Sequence, residues 1–387
     1  MKPELVVISQ NLMGGGASFH RNILANRPDD FFDIKCIYLD PLNWIAKRLE
    51  SNKLEKNDII FQFSNESESQ LAERLNIHIS NRKGAVVTNL PEELISLDYF
   101  PKPKKTVFFI CHDKGFLYLT QKYSHIIDVY IAHNIEIFEI IKELLPERVN
   151  DVYFIPHGVQ LQEYNRQQNM SQKLRLVFLA RHVKTKGIYD LPKIDDLLIK
   201  DGVEVDWTIL GDGEEKDNFT NEVKSRRNFH IISAKNNEDV IEILKNQDIY
   251  ILPSSHDGLP VSLLEAMSVG CVPIVYNFSE GIKSVITSDI GFVINLSDIN
   301  GISEKLQLFN KNRDLLFSCS LNSIRKVENE FNIVTQAKKY FDLYKDYSVL
   351  KKNHLFSLFH IKRKFKRNKF VILSMNFLRG IKRCFLK

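Results

Sequence analysis

The chain has 387 residues, of which 44% are hydrophobic and 26% charged, enough to bury the cores of two domains. No apolar run approaches the roughly 18 residues of a membrane span, and the opening MKPELVVIS is too short for a signal-peptide core. Five scattered cysteines without a C-x-x-C pair favour neither a disulfide framework nor a zinc site. We therefore expect a soluble, cytoplasmic protein with reduced thiols.

Short apolar runs alternate with amphipathic segments along the chain, a pattern that predicts β-α units in parallel sheets. A first series of strands is predicted at 5–9, 34–39, 58–64, 85–90, 106–112 and 129–134. A second series is predicted at 175–181, 206–213, 228–234, 248–255, 272–277 and 291–296, with helical spacing between them as at 237–247. We expect two doubly wound α/β domains, over 1–160 and 174–335, joined by a polar linker at 161–173.

The motifs of several common enzyme classes are missing from the sequence. The glycines after the first strand lack the spacing of G-x-G-x-x-G, and no P-loop sequence occurs, which argues against a simple dehydrogenase or a P-loop ATPase. Without D-x-D, H-E-x-x-H or G-x-S-x-G, metal-bound chemistry and the hydrolase elbow also lose support. The contiguous residues Ser255, His256 and Asp257 cannot line up as a catalytic triad.

The segment SSHDGLPVSLLEAMSVGCVPIV, residues 254–275, places Asp257 and Glu265 eight positions apart after a predicted strand. Asp257 is expected in the turn, and Pro260 suits the first turn of the following helix. The free amides near Gly258 to Val261 would then lie beside the positive end of the helix dipole, which is an anion site. A helix-capping acid and a surface glutamate explain the same pattern equally well.

Two basic residues follow the strand predicted at 175–181. Arg181 stands at its end and Lys186 five residues later, just before a glycine and a helical segment. Two cations at the carboxyl end of a strand can clamp a diphosphate. An arginine and a lysine in a loop are, however, more often simply solvated.

The first domain offers two weaker candidates at strand ends. Gly15 and Gly16 follow the first strand, where glycines let a ligand approach the backbone without a side-chain clash, although alone they indicate only a turn. His112 ends the strand predicted at 106–112. A buried histidine whose hydrogen bonds are satisfied is the ordinary interpretation of such a residue.

The segment 351–387 contains twelve lysines and arginines and no acidic residue, whereas the rest of the chain is net acidic. Its basic residues alternate with Phe, Leu and Ile, the mixture expected of an interfacial helix on anionic lipid. Each basic residue near such a surface contributes about 1 kcal/mol. A solvated helix or a partly disordered tail is the alternative, and charge confined to a tail argues against a groove-reading nucleic-acid domain.

Four segments of the sequence, taken together, resemble those of a known protein family. The first-strand glycine loop, VFLARHVKTKG, TILGDGEE and DIYILPSSHDGLPVSLLEAMSVGCVPIV resemble the retaining glycosyltransferases of family 4, which have the GT-B fold. The resemblance is close across 150–335 and weak across 20–150. It implies that the C-terminal domain binds a nucleotide sugar, that the N-terminal domain receives the acceptor, and that a terminal helix at 336–350 crosses back.

The resemblance also implies a binding role for the residues around the donor's diphosphate. Arg181 and Lys186 would clamp the diphosphate, with Gly15 and Gly16 beside it. The turn that meets phosphate or sugar comprises Gly258, Leu259 and Pro260, and Pro260 itself has no N–H to donate.

The two acids and the histidine would contact the rest of the donor. Glu265 matches the second acid of the family's Glu-x7-Glu pattern and would contact the ribose hydroxyls. Asp257 matches the first acid, which contacts the sugar ring near the reacting carbon, and His112 matches a histidine near the sugar. Asp257 departs from the pattern because it is one methylene shorter than glutamate.

The function that the resemblance implies is transfer of a sugar, with retention of configuration, from a UDP- or GDP-linked donor to a lipid-linked or polysaccharide acceptor. The pathway would be the biosynthesis of a bacterial surface glycan (O-antigen, lipopolysaccharide or capsule). No metal or other cofactor is expected. The expected partners are the nucleotide sugar, the acceptor and, through 351–387, the inner face of the cell membrane, but no nucleic acid. The alternatives are a nucleotide-sugar epimerase of the same fold and a catalytically silent nucleotide-sugar-binding subunit, the latter suggested by Asp257.

Overall fold

The computed structural model describes residues 1–11, 15–42, 55, 57–168 and 173–352. These residues form two separate parallel β-sheets with helices packed against them, so the α/β fold class expected from the sequence is confirmed. The basic segment is described only at Lys351 and Lys352, and its remaining part, 353–387, lies outside the described residues.

The first sheet has seven strands within the described ranges. They are β1 (Glu4–Gln10), β2 (Asp33–Pro41), β3 (Ile59–Phe63), β4 (Gly84–Thr88), β5 (Lys105–Cys111), β6 (Val129–Ala132) and β7 (Val152–Phe154). The accompanying helices are α1 (Gly15–Ala25), α2 (Glu68–Asn76), α3 (Pro91–Tyr99), α4 (Leu117–Lys122) and α5 (Ile135–Leu144). The strands lie in the order β3-β2-β1-β4-β5-β6-β7, and every pair is parallel.

The near-continuous apolar runs of this sheet have a simple cause, because both of its faces are covered. On β1, Val6 and Ile8 enter one hydrophobic cluster, while Leu5 and Val7 enter the cluster on the opposite face. Successive side chains of a strand point to opposite faces, so a strand buried on both sides has no need of polar alternation.

The second sheet has six strands in the described part of the chain. They are β8 (Leu174–Leu179), β9 (Val205–Leu210), β10 (Phe229–Ile232), β11 (Ile249–Leu252), β12 (Val272–Tyr276) and β13 (Phe292–Ile294). Its helices are α6 (Leu191–Lys200), α7 (Lys216–Val223), α8 (Asn237–Lys245), α9 (Val261–Ser268), α10 (Ile282–Val285), α11 (Ile299–Lys311) and α12 (Arg313–Glu330). The order is β10-β9-β8-β11-β12-β13, again with every pair parallel.

Two final helices return from the second sheet to the first, α13 (Ile333–Lys345) and α14 (Tyr347–Leu350). A short parallel bridge between Val159 and Asn332 marks the return. From α13, the buried side chains Ile333, Tyr340 and Tyr344 join the cluster that covers one face of the first sheet. The C-terminal end of the described chain therefore belongs to the first sheet's core.

All twelve strands predicted from the sequence are present, and β7 was missed. Except for β1 and β2, the predicted strands run too far at their carboxyl ends: the strand expected at 175–181 ends at Leu179, because Arg181 already belongs to the loop. β7 is only three residues long and ends on the exposed Phe154, which leaves little apolar pattern to detect. The helix expected at 336–350 begins earlier, at Ile333, and is divided near Asp346. The domain boundaries drawn from the sequence stay predictions.

Candidate active site

Each sheet reverses its strand order once, and the loops at these two reversals carry most of the candidate residues. The reversal lies between β1 and β4 in the first sheet and between β8 and β11 in the second. Ligands of doubly wound sheets bind beyond the carboxyl ends of the strands at such a point. The loop after β8 carries Arg181 and Lys186, and the loop after β11 carries Asp257.

The backbone ties these two loops of the second sheet together. The carbonyl of Thr185 accepts hydrogen bonds from the Ser255 N–H at 2.9 Å and from the Ser254 hydroxyl at 3.2 Å. Gly187 has a φ of +72°, and a Cβ there would overlap the carbonyl of Pro253. Glycine is therefore required where the loop after β8 crosses the loop after β11.

Lys186 and Asp257, assigned separate roles from the sequence, form an ion pair. Their side chains are only 13% and 20% exposed, and the Lys186 ammonium also lies 3.5 Å from the carbonyl of His256. A largely buried lysine needs a negative partner, so an incoming anion would compete with Asp257 for the ammonium. Arg181 is exposed, and within the described residues no hydrogen bond or ion pair is recorded for its side chain.

The turn after β11 presents unpaired amides next to this ion pair. The N–H groups of Gly258 and Leu259 donate to no acceptor in the described part of the chain, and Pro260 is the N-cap of α9. Orphan amides at a helix start, together with the dipole, favour an anion. The Lys186 ammonium and the amides of the turn therefore lie together in a place that suits a phosphate group.

The same turn contacts the first sheet, which places the cleft between the two sheets. A Cβ on Gly258 would lie 2.5 Å from the carbonyl oxygen of His112 and 3.6 Å from the Cβ of Asp113. A second close approach joins Gly281, after β12, to the side chain of Asn134, after β6. His112, Asp113 and Asn134 all follow strands of the first sheet, so the carboxyl ends of both sheets face one another here.

His112 lies at this junction with one ring nitrogen bonded and the other without a partner. Its Nδ1 is 2.9 Å from Nε2 of His133, whereas its Nε2 is buried and has no hydrogen-bond partner among the described residues. Burial lowers the pKa of His112 to about 4, so the imidazole is neutral at physiological pH. A neutral imidazole with one unpaired nitrogen is suited to bind a substrate group.

The histidines next to the cleft could also be considered as metal ligands. His112, His133 and His157 each offer a nitrogen, and these three atoms lie within 4.8 Å of one another. The 2.9 Å separation between His112 and His133 is that of a hydrogen bond with a proton between the rings. In this arrangement the nitrogens that His112 and His133 turn toward each other are occupied by their mutual hydrogen bond and are not free to bind a metal.

Glu265 lies one to two turns inside α9 and is partly exposed. Burial raises the pKa of its carboxyl to about 7, and a hydrogen bond from the Asn237 side chain at the start of α8 opposes that shift. Near neutral pH this carboxyl is therefore poised between accepting and donating hydrogen bonds to hydroxyl groups. Asn237 was not identified from the sequence.

The glycines of the first domain are found where the chain leaves β1. Gly15 and Gly16 form the first turn of α1, which packs close to α9 of the second sheet. The preceding residues 12–14 lie outside the described residues. The two glycines thus lie on the first sheet's side of the cleft, on a helix that contacts α9 across it.

The structure brings together Lys186, Asp257, the turn 258–260 and His112, with Glu265 deeper on α9, and the roles expected of them stay predictions. Reasoning from the sequence missed His133 and Tyr340, which contact each other behind His112. His133 lies near the end of the strand predicted at 129–134 and directly follows the observed β6, so it could have been found by that position. Tyr340 gave no signal, because an aromatic residue on a helix face usually indicates core packing.

Part of the chain is similar in sequence to known proteins. Residues 162–326 match the family model described as glycosyl transferases group 1. A galactosyltransferase of Escherichia coli, named UDP-Gal:alpha-D-GlcNAc-diphosphoundecaprenol alpha-1,3-galactosyltransferase, is 35% identical over 162 residues, which cover 41% of this chain and 40% of the relative. A Campylobacter jejuni relative, N,N'-diacetylbacillosaminyl-diphospho-undecaprenol alpha-1,3-N-acetylgalactosaminyltransferase, is 25% identical over 178 residues, or 46% of each chain. The matches to these curated relatives thus span less than half of their length.

A solved structure extends the likeness to both sheets. HepE of Anabaena, in complex with UDP and glucose, superimposes with a TM-score of 0.70 at 13% identity, covering 89% of this chain and all of the other. At that identity the likeness shows the fold, and the GT-B architecture expected from the resemblance is confirmed. The match to the group 1 glycosyl transferases thus covers residues 162–326, less than half of the chain, and the likeness to HepE extends the shared fold over both sheets.

Proposed function

We propose that this protein is a hexosyltransferase that moves a sugar from a UDP- or GDP-linked donor to a lipid-linked or polysaccharide acceptor of a bacterial surface glycan. The observation that carries the proposal is the meeting of Lys186, Asp257 and the free amides of Gly258 and Leu259 with His112, at the junction of two sheets. The relatives add support, because one is named for a UDP-galactose donor and both for a diphosphoundecaprenol acceptor.

The anion site would act on the departing diphosphate. As the bond between the anomeric carbon and the phosphate oxygen breaks, negative charge grows on the diphosphate, next to Lys186, Arg181 and the amides of the 258–260 turn. Donors that are already in place stabilise such charge without reorganisation. These cations and amides would make a metal ion unnecessary for charge stabilisation.

The sugar and the ribose would be held on either side of that diphosphate. Asp257 and the unpaired Nε2 of His112 would accept hydrogen bonds from sugar hydroxyls, and Glu265 would contact the ribose hydroxyls. The acceptor hydroxyl would attack the anomeric carbon on the face from which the diphosphate leaves, its proton passing to the departing phosphate oxygen. One bond then forms as the other breaks, and the configuration is retained.

Association with the inner face of the cell membrane is part of the proposal and rests on composition. No helix in the described ranges is both long and apolar enough to cross a bilayer. The basic residues of 353–387 lie outside the described residues, and their alternation with aromatic and aliphatic residues supports binding to an anionic surface. A lipid-linked acceptor would lie at that surface.

A transfer assay tests the proposal. The full chain is incubated with UDP- and GDP-sugars, each paired with a diphosphate-lipid acceptor that bears one sugar. We expect one donor to give a product with the donor's anomeric configuration by NMR, and Asp257→Asn to abolish it. Sugar interconversion without acceptor would favour the epimerase. Binding without turnover, with turnover gained by Asp257→Glu, would favour the silent subunit.

A further inference from the structure

Four histidines of the first domain surround Phe19 behind the cleft. The rings of His20, His112, His133 and His157 all lie within 5.4 Å of the Phe19 ring centroid. His133 also stacks on His157, with ring centroids 3.8 Å apart. Of the four, His112 contacts the turn of the second sheet through its carbonyl. Its ring is bonded to His133, so the position of the proton on the His112 ring depends on the residues behind it.

The chain of contacts begins at the carbonyl of Ile155, on the segment after β7. This oxygen accepts the Tyr340 hydroxyl proton at 2.7 Å and also lies 3.2 Å from Nδ1 of His133. The Tyr340 oxygen itself lies 3.0 Å from the same Nδ1. Tyrosine has one hydroxyl proton, and Tyr340 donates it to the Ile155 oxygen, which is nearer than His133 Nδ1. The Tyr340 oxygen and the Ile155 oxygen are then both acceptors toward His133 Nδ1, so this nitrogen must carry a hydrogen.

The next step follows from the neutral state of both rings. Burial lowers the pKa of His133 well below its usual value, with smaller contributions from His157 and His112, so His133 holds one proton only. Its Nε2 is then a lone pair, and it faces Nδ1 of His112 at 2.9 Å. A hydrogen bond at that distance requires the proton to be on His112 Nδ1. His112 is also neutral, and its Nε2 therefore presents a lone pair.

We propose that Tyr340, the Ile155 carbonyl and His133 hold His112 in its Nδ1–H tautomer, so that Nε2 accepts a hydrogen bond from a hydroxyl of the donor sugar. His133 and Tyr340 are positioning residues in this arrangement, since they act through His112. The hydrogen bond from the sugar to Nε2 rests on the proposed function, whereas the tautomer itself is a property of the free protein. Tyr340 lies on α13, so the crossing helix contributes to the site's chemistry as well as to its packing.

The arrangement has a consequence for substrate choice. A fixed lone pair selects a group that can donate a proton and discriminates against an analogue in which that group is missing, because the buried nitrogen would stay unpaired. The buried Nε2 of His112 already lacks a partner in the described structure. The donor sugar should therefore carry a free hydroxyl at the carbon that faces His112.

Histidine tautomers can be read directly in the full-length protein. With selective 15N labelling of histidine, two-bond nitrogen–proton correlation spectra at pH 7.5 distinguish Nδ1–H, Nε2–H and cationic rings. We expect both His112 and His133 as the Nδ1–H form in the wild-type protein, with each signal assigned by its His→Gln variant. An Nε2–H or cationic His112 in the wild-type protein would overturn the proposal.

Two variants separate positioning from packing. His133→Ala removes the acceptor, and His112 should shift toward the Nε2–H form. His157→Phe is the matched control: it preserves the stacking on His133 and removes a buried nitrogen that has no partner, so the His112 signal should not change. A shift of the same size in both variants would show that packing alone sets the tautomer. A stoichiometric Zn²⁺ complex that moves the His112, His133 and His157 signals together would also overturn it.

Binding measurements test the link to the sugar. His133→Ala should weaken binding of the nucleotide sugar by about fivefold to tenfold, the effect of one lost hydrogen bond, and leave nucleoside diphosphate binding unchanged. Equal weakening of both ligands would contradict the link. If no nucleotide sugar bound the wild-type protein while His112 showed the Nδ1–H form, the proposed function would fail and the tautomer assignment would stand.

Discussion

In the proposed function, the residue that decides the chemistry of the anion site is Lys186. Its ammonium is largely buried and is neutralised by Asp257. Taking both charges out of water is costly, and their attraction offsets that cost only while they stay paired. In the proposed function, an arriving diphosphate would offer Lys186 a stronger partner and release Asp257 for the sugar, so this ion pair would link the binding of the two halves of the donor.

Lys186→Ala should therefore weaken binding of a nucleoside diphosphate far more than binding of the nucleoside. We expect a loss of about tenfold to hundredfold for the diphosphate, the usual effect of a hydrogen bond to a charged group, measured by titration calorimetry. Lys184→Ala is the control, since Lys184 belongs to the same 3₁₀ turn but is 76% exposed and pairs with Glu215 at 3.5 Å. Equal losses for nucleoside and diphosphate would refute the clamp.

Individual site residues could be predicted where they follow a strand. Lys186, Asp257 and His112 were selected as candidates because ligands of parallel sheets bind beyond the carboxyl ends of the strands, and the structure brings the three segments together. The pairing of Lys186 with Asp257, and of His112 with His133, could not be predicted, because each joins segments far apart in sequence. Tyr340 contacts His133 across 207 positions, and its buried ring indicates only core packing.

At the scale of elements, the contact between the turn after β11 and the end of β5 fixes the width of the cleft. Gly258→Ala would place a Cβ 2.5 Å from the His112 carbonyl, so one of the two backbones must shift. We expect transfer activity to fall by about a hundredfold, as for a 1 Å misplacement, with an unchanged circular dichroism spectrum. Ser255→Ala, in the same loop, adds no atom and should retain activity. Full activity of Gly258→Ala would disprove the close contact.

The buried histidines of the first domain make the protein sensitive to acid. Burial lowers the pKa of His157 from 6.5 to about 3, so this ring is neutral when folded and takes up a proton on unfolding. The stability it contributes is complete above pH 6.5 and is lost as pH falls toward 3. The free energy of unfolding should thus decrease by about 1.4 kcal/mol per pH unit for each such histidine below pH 6.5.

His157→Phe isolates one of these histidines. Between pH 6 and pH 5 the free energy of unfolding, measured with urea, should fall less steeply in the variant than in the wild-type protein. The difference in slope should correspond to the uptake of about one proton on unfolding. His20 and His133, whose pKa values are also lowered by burial, keep the remaining dependence. The same slope in both proteins would mean that His157 is not buried as a neutral ring.

Strands were easier to predict than their ends or their partners. β1 and β8 are buried and rich in Val, Leu and Ile, and such runs are distinctive even without alternation. β7 escaped because three residues provide no period to measure. The reversal of strand order in each sheet, which places the site, depends on long-range pairing that no local pattern reports.

At the scale of the whole molecule, the described chain ends on the side of the first sheet that faces away from the cleft. Lys351 pairs with Asp128 at 3.0 Å and Lys352 with Asp151 at 2.7 Å. Asp128 comes just before β6, at the amino end of the strands, whereas the site lies at their carboxyl ends. The contacts of Lys351 and Lys352 therefore belong to the folded body, and the basic segment 353–387 begins after them.

Two truncations should separate these roles. Deleting 353–387 should abolish binding to vesicles that contain phosphatidylglycerol and leave the free energy of unfolding unchanged. Deleting 351–387 should also lower that free energy by about 1–3 kcal/mol, because the buried carboxylate of Asp128 loses the Lys351 ammonium and the Lys352 amide. Co-sedimentation with vesicles and urea unfolding measure the two effects. Undiminished vesicle binding after deletion of 353–387 would contradict the membrane role.

The measurement that tests the central claim most directly is the change in melting temperature with UDP, GDP, ADP and their common sugar conjugates. Binding to the native state raises the melting temperature by mass action. We predict a selective response to one uridine or guanosine nucleotide and its sugar conjugate, lost in Lys186→Ala and in Arg181→Ala. No response to any of these ligands, or the same response in the wild-type protein and both variants, would contradict a nucleotide-sugar site between the two sheets.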